Sequence, residues 1–157
     1  MFVNKHAELS NCRKYRYALW RTWNDKKGKV LFIGLNPSTA DETIDDTTIT
    51  RCIRYATQWG YGGVIMGNLF AYRTPSPEEM KREKDPVGPD NDSWLKKLKE
   101  EADIVVAIWG NAGCHLGRSD KVAEMFPKMM CLRLTAKGQP HHTRGLPNGL
   151  QPIPYKK

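Results

Sequence analysis

The sequence predicts an α/β protein: a three-layer α/β/α sandwich with a central, mostly parallel sheet of four strands plus an N-terminal edge strand or hairpin. Two observations support this prediction. Short apolar runs typical of buried strands alternate along the chain with segments in which apolar residues recur at helical spacing. Strands and helices that alternate in this way form a parallel sheet covered on both faces. The 157 residues contain no repeat and no dividing linker, which predicts one domain over residues 1–157.

The N-terminal part of the chain supplies the edge strand or hairpin and the first buried strand. Aromatic and basic residues alternate in KYRYALWRTWND (14–25), which is a strand pattern, and NDKKGK follows as a turn. The run VLFIGL (30–35) is short and continuously apolar, as expected of a strand buried on both faces. Three more apolar runs predict the other strands: GGVIMGNLF (62–70), ADIVVAIWG (102–110) and MMCLRLT (129–135).

Helical segments lie between these strands. In TTITRCIRYATQWG (47–60) the apolar residues have helical spacing, and Gly60 ends the pattern. A short helix in TPSPEEMKREKD (74–85) has Ser76 as its N-cap and Pro77 at its first position. Two further helices are predicted in PDNDSWLKKLKEE (89–101) and SDKVAEMF (119–126). The chain after the fourth strand is rich in Gly, Pro and Asn and is predicted to be loop.

The charge of the chain favours a polyanionic partner such as nucleic acid. The chain carries 25 Lys and Arg against 17 Asp and Glu, a formal net charge of +8. The excess lies at the two ends, since residues 5–29 and residues 118–157 each contain eight basic and two acidic side chains. With 39% hydrophobic residues, no long apolar run and no secretory pattern at the N-terminus, we expect a cytoplasmic protein without a membrane partner.

Polar side chains follow each predicted strand at the point where the strand ends. In an open parallel sheet, ligands bind outside these carboxyl ends, so we expect the residues to converge at one edge. They are Asn36, Pro37, Ser38 and Asp41 after the first buried strand, Asn68, Phe70, Tyr72 and Arg73 after the second, Trp109 and Asn111 after the third, and Lys137, His141 and His142 after the fourth.

These residue types suit a site for a planar heterocycle. An asparagine side chain offers both a donor and an acceptor to the edge of a base. Phe70 or Tyr72 can stack on the ring, and a histidine can donate a hydrogen bond to a carbonyl oxygen that gains negative charge. The predicted base-binding residues are Asn68, Phe70, Tyr72, Trp109, Asn111, Pro37 and Ser38, and the predicted phosphate-binding residues are Arg73, Lys137, Arg144, Ser38 and Arg118.

Several catalytic motifs are missing from the sequence. It has no P-loop, no G-x-G-x-x-G after the first strand, no G-x-S-x-G elbow and no zinc-deaminase signature, so we expect neither a cofactor nor a metal. The acids Asp41, Asp45 and Asp46 leave open a metal-dependent nuclease or nucleotide hydrolase. Acids just before a helix more often serve its N-terminus.

Four strand-end motifs resemble the uracil-DNA glycosylase superfamily, and their order along the chain is FIGLNPS, VIMGNLFAY, VVAIWGNAG and LTAKGQPHH. The first is most similar to the mismatch-specific thymine/uracil branch, in which this strand ends in Gly-x-Asn-Pro. The segments NPSTADETIDDTTITRCIRYATQWGYGG and NLFAYR also resemble a widespread, poorly characterised family of bacterial and phage proteins, and this second resemblance covers most of the chain.

The glycosylase resemblance implies a single monomeric domain that acts on DNA, expected to be double-stranded. The domain would flip a base out of the helix and hydrolyse its N-glycosidic bond, which leaves an abasic site. Asn36 would hold the attacking water, Asn68 would read the base edge, and His141 or His142 would contact a base carbonyl. The chain has Pro-His-His-Thr where the superfamily usually has His-Pro-Ser.

A general base and a substrate are also implied. The amide of Asn36 does not take up a proton near neutral pH, so Asp41 is the nearest candidate base along the chain, with Asp46 behind it. Superfamily members that act on modified bases include a phage-defence type that removes glucosylated hydroxymethylcytosine. This implies a modified pyrimidine as substrate and a role against phages with modified DNA. The alternative is a non-catalytic nucleic-acid or nucleotide-binding protein on the same fold.

Overall fold

A computed structural model, which describes residues 2–155, has one mixed sheet of seven strands with helices on both faces. Met1, Lys156 and Lys157 of the predicted domain lie outside the described residues. The strands are β1 (Asn4–Leu9), β2 (Arg16–Thr22), β3 (Lys29–Gly34), β4 (Gly63–Asn68), β5 (Ile104–Ala107), β6 (Met130–Cys131) and β7 (Ile153–Pro154). The α-helices are α1 (Thr47–Gln58), α2 (Pro77–Arg82), α3 (Asn91–Glu101) and α4 (Arg118–Met125), and a 3-10 segment spans Asn111–Gly117.

The prediction of a four-stranded, mostly parallel sheet is wrong in its extent. The strand order is β1-β2-β4-β3-β5-β6-β7. The four predicted buried strands lie together in the middle and pair in parallel, but β1, β2 and β7 pair antiparallel with their neighbours. Strands β1 and β7 were not predicted individually, because β1 is highly polar and β7 is only two residues long.

The alternative of a hairpin between the first two predicted strands is also wrong. Strand β2 pairs with β4, with Trp20 opposite Ile65, and its other edge pairs with β1. Both edges of β3 are occupied by parallel neighbours, since Leu31 lies opposite Ile65 on one side and Val105 on the other. The turn after β2 therefore leads the chain past β4 and into the centre of the sheet.

Alternate residues of β3 divide the core into two layers, as the pleat of a strand requires. Val30 and Phe32 pack with the buried face of α1, and Leu31 and Ile33 pack with residues of α3 and α4. Burying each such aliphatic or aromatic side chain contributes about 1.5–3 kcal/mol. The predicted cover on both faces of the sheet is thus confirmed.

The helix ends explain where the chain turns back towards the sheet edge. The carboxylate of Asp46 caps α1 by accepting a hydrogen bond from the backbone N–H of Ile49 at 2.9 Å. Ser76 caps α2 in the same way and Pro77 occupies its first position, as predicted. Among the helices of residues 2–155, none has the length and apolarity needed to cross a membrane.

Candidate functional site

Polar residues from four strand ends meet in one cleft of about 690 Å³ at the carboxyl edge of the parallel strands. We call it the strand-end cleft. The side chains that the sequence places after β3, β4, β5 and β6 contribute to it, as expected for an open parallel sheet. The predicted residues that line the cleft are Asn36, Pro37, Ser38, Asn68, Trp109, Asn111, His141, His142 and Arg144.

The side-chain amide of Asn36 is held in one orientation. Its Nδ2 donates to the backbone carbonyl of Thr74 at 2.9 Å and lies 3.2 Å and 3.4 Å from the carbonyls of Pro37 and Tyr72. Carbonyl oxygens only accept, so the nitrogen must point at them. The Oδ1 atom is left without a hydrogen-bond partner among the described residues, and it is available to accept from water.

Asn68, the last residue of β4, is only 3% exposed and yet lines the cleft. Its Nδ2 has no hydrogen-bond partner among the described residues. The position opposite is Gly34, where a Cβ would lie 3.0 Å from the Oδ1 of Asn68, so a glycine at the end of β3 leaves room for this side chain. Because buried polar groups are normally hydrogen-bonded, this unpaired donor suggests that a ligand in the cleft supplies the missing acceptor.

The two histidines have opposite tautomers when their rings are neutral. The Nδ1 of His141 lies 2.6 Å from the carbonyl oxygen of His142, so Nδ1 carries the proton and Nε2 of the neutral ring is an acceptor. In contrast, Nδ1 of His142 accepts from the backbone N–H of Arg144 at 3.0 Å. The neutral ring of His142 therefore carries its proton on Nε2, 3.5 Å from the hydroxyl of Thr48.

Burial and positive neighbours keep His142 neutral. Burial is the main cause that lowers the pKa of its imidazole below the usual value, and the charges of Arg144 and Arg51 act in the same direction. Of the two histidines, His142 is thus the one that can offer a neutral N–H donor to the cleft near pH 7.

Trp109 and Asn111 form the wall that follows β5. Trp109 is 2% exposed, and its Nε1 donates to the side chain of Gln139 at 2.8 Å. Asn111 is exposed, and its Oδ1 accepts from the hydroxyl of Thr135 at 2.6 Å. Both residues bind to the loop after β6, so they hold the two sides of the cleft together.

The two predicted stacking residues do not line the cleft. Phe70 is fully buried in the core and packs against His115. Tyr72 packs edge-on against Tyr15, and only its backbone carbonyl reaches Asn36. The cause is the chain direction after β4, because the residues beyond Asn68 continue along β3 and β2 instead of turning into the cleft. The apolar lining comes instead from residues such as Leu35, Met66 and Pro75.

Asp41, the predicted general base, lies outside the cleft. Its Oδ1 accepts from the backbone N–H groups of Ile44 and Thr43 at 2.8 Å and 2.9 Å. These bonds hold the pKa of the Asp41 carboxyl below its usual range, which makes it a weaker base. Asp46, the second candidate, does line the cleft, and only its Oδ1 is used by the helix cap.

The predicted phosphate-binding cations are divided by the structure. Arg144 is exposed at the cleft, with Ser38 on its lining. Arg118 is buried and its Nη2 pairs with Asp92 at 2.8 Å, so its role is structural instead. Arg73 donates to the carbonyl of Arg13, away from the cleft. Lys137 lines a separate depression of about 470 Å³.

The three acids considered for a metal do not converge. Asp41 closes a turn, Asp45 pairs with Arg21 at 2.7 Å, and Asp46 caps α1. In the part of the chain that the structure describes, no group of three or more His, Cys, Asp or Glu side chains is arranged to hold a metal ion.

Arg16 is a charged residue of the cleft that was not predicted there from the sequence. Arg16, at the start of β2, lines the cleft although it is only 3% exposed. In the sequence it is one of two arginines in the alternating strand pattern of residues 14–25. Only its place beside the end of β4, where its N–H donates to the carbonyl of Ala71, brings it to the site.

Residues 16–143 match a family described as "Protein of unknown function (DUF1643)". Because the match covers more than half of the chain, the chain belongs to the DUF1643 family. No curated protein and no solved structure matches it. The matched region contains the cleft residues from Arg16 to His142 and ends before Arg144.

Proposed function

We propose that this member of the DUF1643 family is a DNA glycosylase of the uracil-DNA glycosylase type. In this proposal it flips a modified pyrimidine out of DNA and hydrolyses the N-glycosidic bond. The observation that carries the proposal is the buried, unpaired amide of Asn68 in the strand-end cleft. A buried donor without a partner costs about 1–3 kcal/mol, so its place in a cleft favours a ligand that supplies the missing acceptor.

The amide of Asn68 suits the edge of a pyrimidine. Its Nδ2 would donate to a ring carbonyl or ring nitrogen, and its Oδ1 would accept from an N–H group of the same edge. Gly34 leaves the side chain in place without crowding it. The superfamily resemblance implies the same role for the residue at the end of this strand, which is Asn68.

The reaction requires that the departing base be stabilised. When the bond between C1′ and the base nitrogen breaks, the bonding electron pair leaves with the base and spreads onto its carbonyl oxygen. A neutral donor fixed beside that oxygen stabilises the transition state more than the ground state. Within the cleft, His142 meets this requirement, because its Nε2–H is a neutral donor when the ring is uncharged.

The other half of the reaction is the attack of water on C1′. The free Oδ1 of Asn36 would accept one hydrogen of the water and aim its oxygen at the sugar. Asp46 would take the proton that the water loses as the new C–O bond forms, through the carboxylate oxygen that does not cap α1. Asp46 replaces Asp41 in this role because Asp46 lines the cleft.

The size of the cleft supports a modified base. Its 690 Å³ falls within the range of about 300–1,000 Å³ that is usual for sites enclosing a whole small-molecule ligand. Such a site leaves room beside a pyrimidine ring for a substituent. The net charge of +8 and the exposed Arg144 would contribute phosphate contacts, which makes binding fall as salt rises.

The experiment is a screen of genomic DNAs that carry different natural base modifications. Each DNA is incubated with the protein, and released bases are identified by mass spectrometry while abasic sites are counted by alkaline strand cleavage. Release of one modified pyrimidine with an equal number of abasic sites supports the proposal. If no DNA in the set yields a free base or an abasic site, the proposed activity is wrong.

A non-catalytic nucleotide-binding or nucleic-acid-binding protein is the second candidate. It is favoured by the unpaired donors of Asn68 and Arg16, since binding requires only that a ligand satisfy them. The same screen separates the two candidates: salt-sensitive DNA binding with no base release would support the binding protein.

A further inference from the structure

We propose that Arg16 forms an anion subsite inside the strand-end cleft and that this subsite takes the phosphate of a nucleotide. The inference goes beyond base recognition, because it names a second group of the ligand. It shares the cleft with the proposed glycosylase but does not require that a base be released. It would hold equally for a nucleotide-binding protein.

The hydrogen bonds of Arg16 leave most of its guanidinium unused. The side chain is 3% exposed, and its only hydrogen bond to a residue within 2–155 runs from Nη1 to the carbonyl of Ala40 at 2.9 Å. The Nε atom is buried without a partner, and among the described residues Nη2 makes no hydrogen bond. No carboxylate within 2–155 lies within 4.0 Å to form an ion pair with Arg16.

Two other buried arginines show what a structural role looks like in this fold. Arg21, five residues further along β2, pairs with Asp45 at 2.7 Å and donates to the carbonyls of Trp20, Asp41 and Ile44. Arg118 pairs with Asp92 at 2.8 Å and donates to Leu69 at 3.0 Å. Buried charges are normally paired in this way. Arg16 is the exception, and it is the one of the three that lines the cleft.

The charge of Arg16 persists at physiological pH. Burial lowers the pKa of Arg16 to about 10, which still leaves the guanidinium protonated near pH 7. The carboxylate of Asp46 opposes the effect of burial most and that of Asp41 opposes it less, whereas the charges of Arg73 and Arg21 lower the pKa further. A buried cation of this kind is stabilised most by an anion that enters the cleft and accepts from Nε and Nη2 together.

Further donors line the same cleft. The hydroxyls of Ser38 and Thr39 and the backbone N–H groups of these two residues make no hydrogen bond to another described residue. Phosphate oxygens accept several hydrogen bonds at once, and the planar guanidinium matches two of them. The carboxylate of Asp46, which caps the N-terminus of α1, would repel a phosphate there. The phosphate is therefore expected at Arg16, Ser38 and Thr39 instead of at the helix N-terminus.

The test is calorimetric titration of the wild-type protein and of three variants with inorganic phosphate, dCMP and deoxycytidine. Arg16→Gln removes the charge, and Arg16→Lys keeps the charge but lacks Nε and the planar fork. Arg54→Gln is the matched control, since Arg54 lies on α1 with a bond to Asn148 and does not line the cleft. Circular dichroism checks that each variant is folded. If Arg16→Gln does not fold, the comparison of Arg16→Lys with the wild type tests the proposal.

We expect phosphate and dCMP to bind the wild type more tightly than deoxycytidine does. Arg16→Gln should weaken both by at least about tenfold, the effect of losing one charge-assisted hydrogen bond, with Arg16→Lys in between and Arg54→Gln unchanged. The inference is overturned if the variants at Arg16 bind phosphate, dCMP and a single-stranded oligonucleotide all as tightly as the wild type does, or if the wild type binds none of the three.

A single-stranded oligonucleotide added to the same titrations identifies the source of the phosphate. Dependence on Arg16 for dCMP but not for the oligonucleotide indicates a free nucleotide, and the reverse indicates a phosphodiester of the strand. Both results support the subsite. Because binding is measured and not base release, failure of the subsite is distinguishable from failure of the glycosylase proposal.

Discussion

His141 donates from Nδ1 to the backbone carbonyl of His142, 2.6 Å away, while the Nδ1 of His142 itself accepts from the N–H of Arg144. Two adjacent histidines thus have opposite tautomers when neutral. The ring of His142 can donate from Nε2 into the cleft, and the ring of His141 can only accept there. This difference assigns the two histidines to different tasks, although they are neighbours in the sequence.

The half-buried ring of His142 predicts a loss of stability in mild acid. Its folded-state pKa is lowered by burial, Arg144 and Arg51, with Asp46 acting in the opposite direction. Below about pH 6.5 the imidazole of His142 is protonated in the unfolded chain but not yet in the folded protein. The free energy of unfolding therefore falls with pH until the pH passes the folded-state pKa. Urea unfolding, measured between pH 7.5 and 5 at intervals of about one pH unit, should show a smaller fall in the free energy of unfolding for His142→Asn than for the wild type. Equal falls in the two proteins would contradict the lowered folded-state pKa of His142.

The three carbonyls around Asn36 predict that an acid is not tolerated there. Asn36→Asp removes the donor at Nδ2 and sets a carboxylate against the carbonyls of Thr74, Pro37 and Tyr72. We expect a loss of about 1–3 kcal/mol in the free energy of unfolding, the cost of unpaired buried polar groups. The control is Asn148→Asp, at an exposed loop position bonded to Arg54. Full stability of Asn36→Asp would contradict the contribution assigned to the hydrogen bonds of the Asn36 Nδ2 atom.

Variants of Asp46 and Asp41 test which of the two acids is the general base. Asp46→Asn keeps the α1 cap, since asparagine caps as well as aspartate, but removes the proposed base, and base release should fall by about 10²–10⁴-fold. Asp41→Asn should retain base release, because Asp41 lies outside the cleft and an amide oxygen can still accept from Ile44 and Thr43. Single-turnover rates measure both, and the opposite pattern would restore Asp41 as the base.

The two buried arginines of β2 should differ in their effect on stability. Arg21→Met removes the hydrogen bonds to Asp45 and to three backbone carbonyls, for an expected loss of about 2–6 kcal/mol in the free energy of unfolding at ~0.5–1.5 kcal/mol per bond. Arg16→Met loses one bond to Ala40 and removes an unpaired buried charge, so the loss should not exceed about 1.5 kcal/mol. Chemical denaturation compares the two. Similar losses would show that Arg16 has a structural role like that of Arg21.

The sequence predicts the centre of this fold better than its edges. Continuous apolar runs identify β3, β4 and β5 because these strands are buried on both faces, and helical spacing with a capping acid identifies α1. Strand β1 begins with Asn4, Lys5 and His6, all exposed, so its composition carries no strand signal. Its pairing with β2 is a tertiary effect, as is the place of β2 beside β4.

The candidate site shows the same contrast. The rule that ligands bind at strand ends brings Asn36, Asn68 and the histidine pair together correctly. It misplaces Phe70, because a residue two positions beyond a strand can as easily enter the core as the cleft. Arg16 could not be found from sequence alone, since nothing in its neighbours separates it from Arg21. What distinguishes the two is the set of acceptors that the fold places around each.

The central claim is tested most directly by Asn36→Ala on the DNA that the screen identifies, with abasic sites and DNA binding measured in the same preparation. Asn148→Ala serves as the control for an asparagine outside the cleft. The account predicts that Asn36→Ala binds this DNA as the wild type does but forms abasic sites at least about 10²-fold more slowly, because the attacking water is no longer positioned. Equal rates of abasic-site formation in Asn36→Ala and the wild type would contradict it.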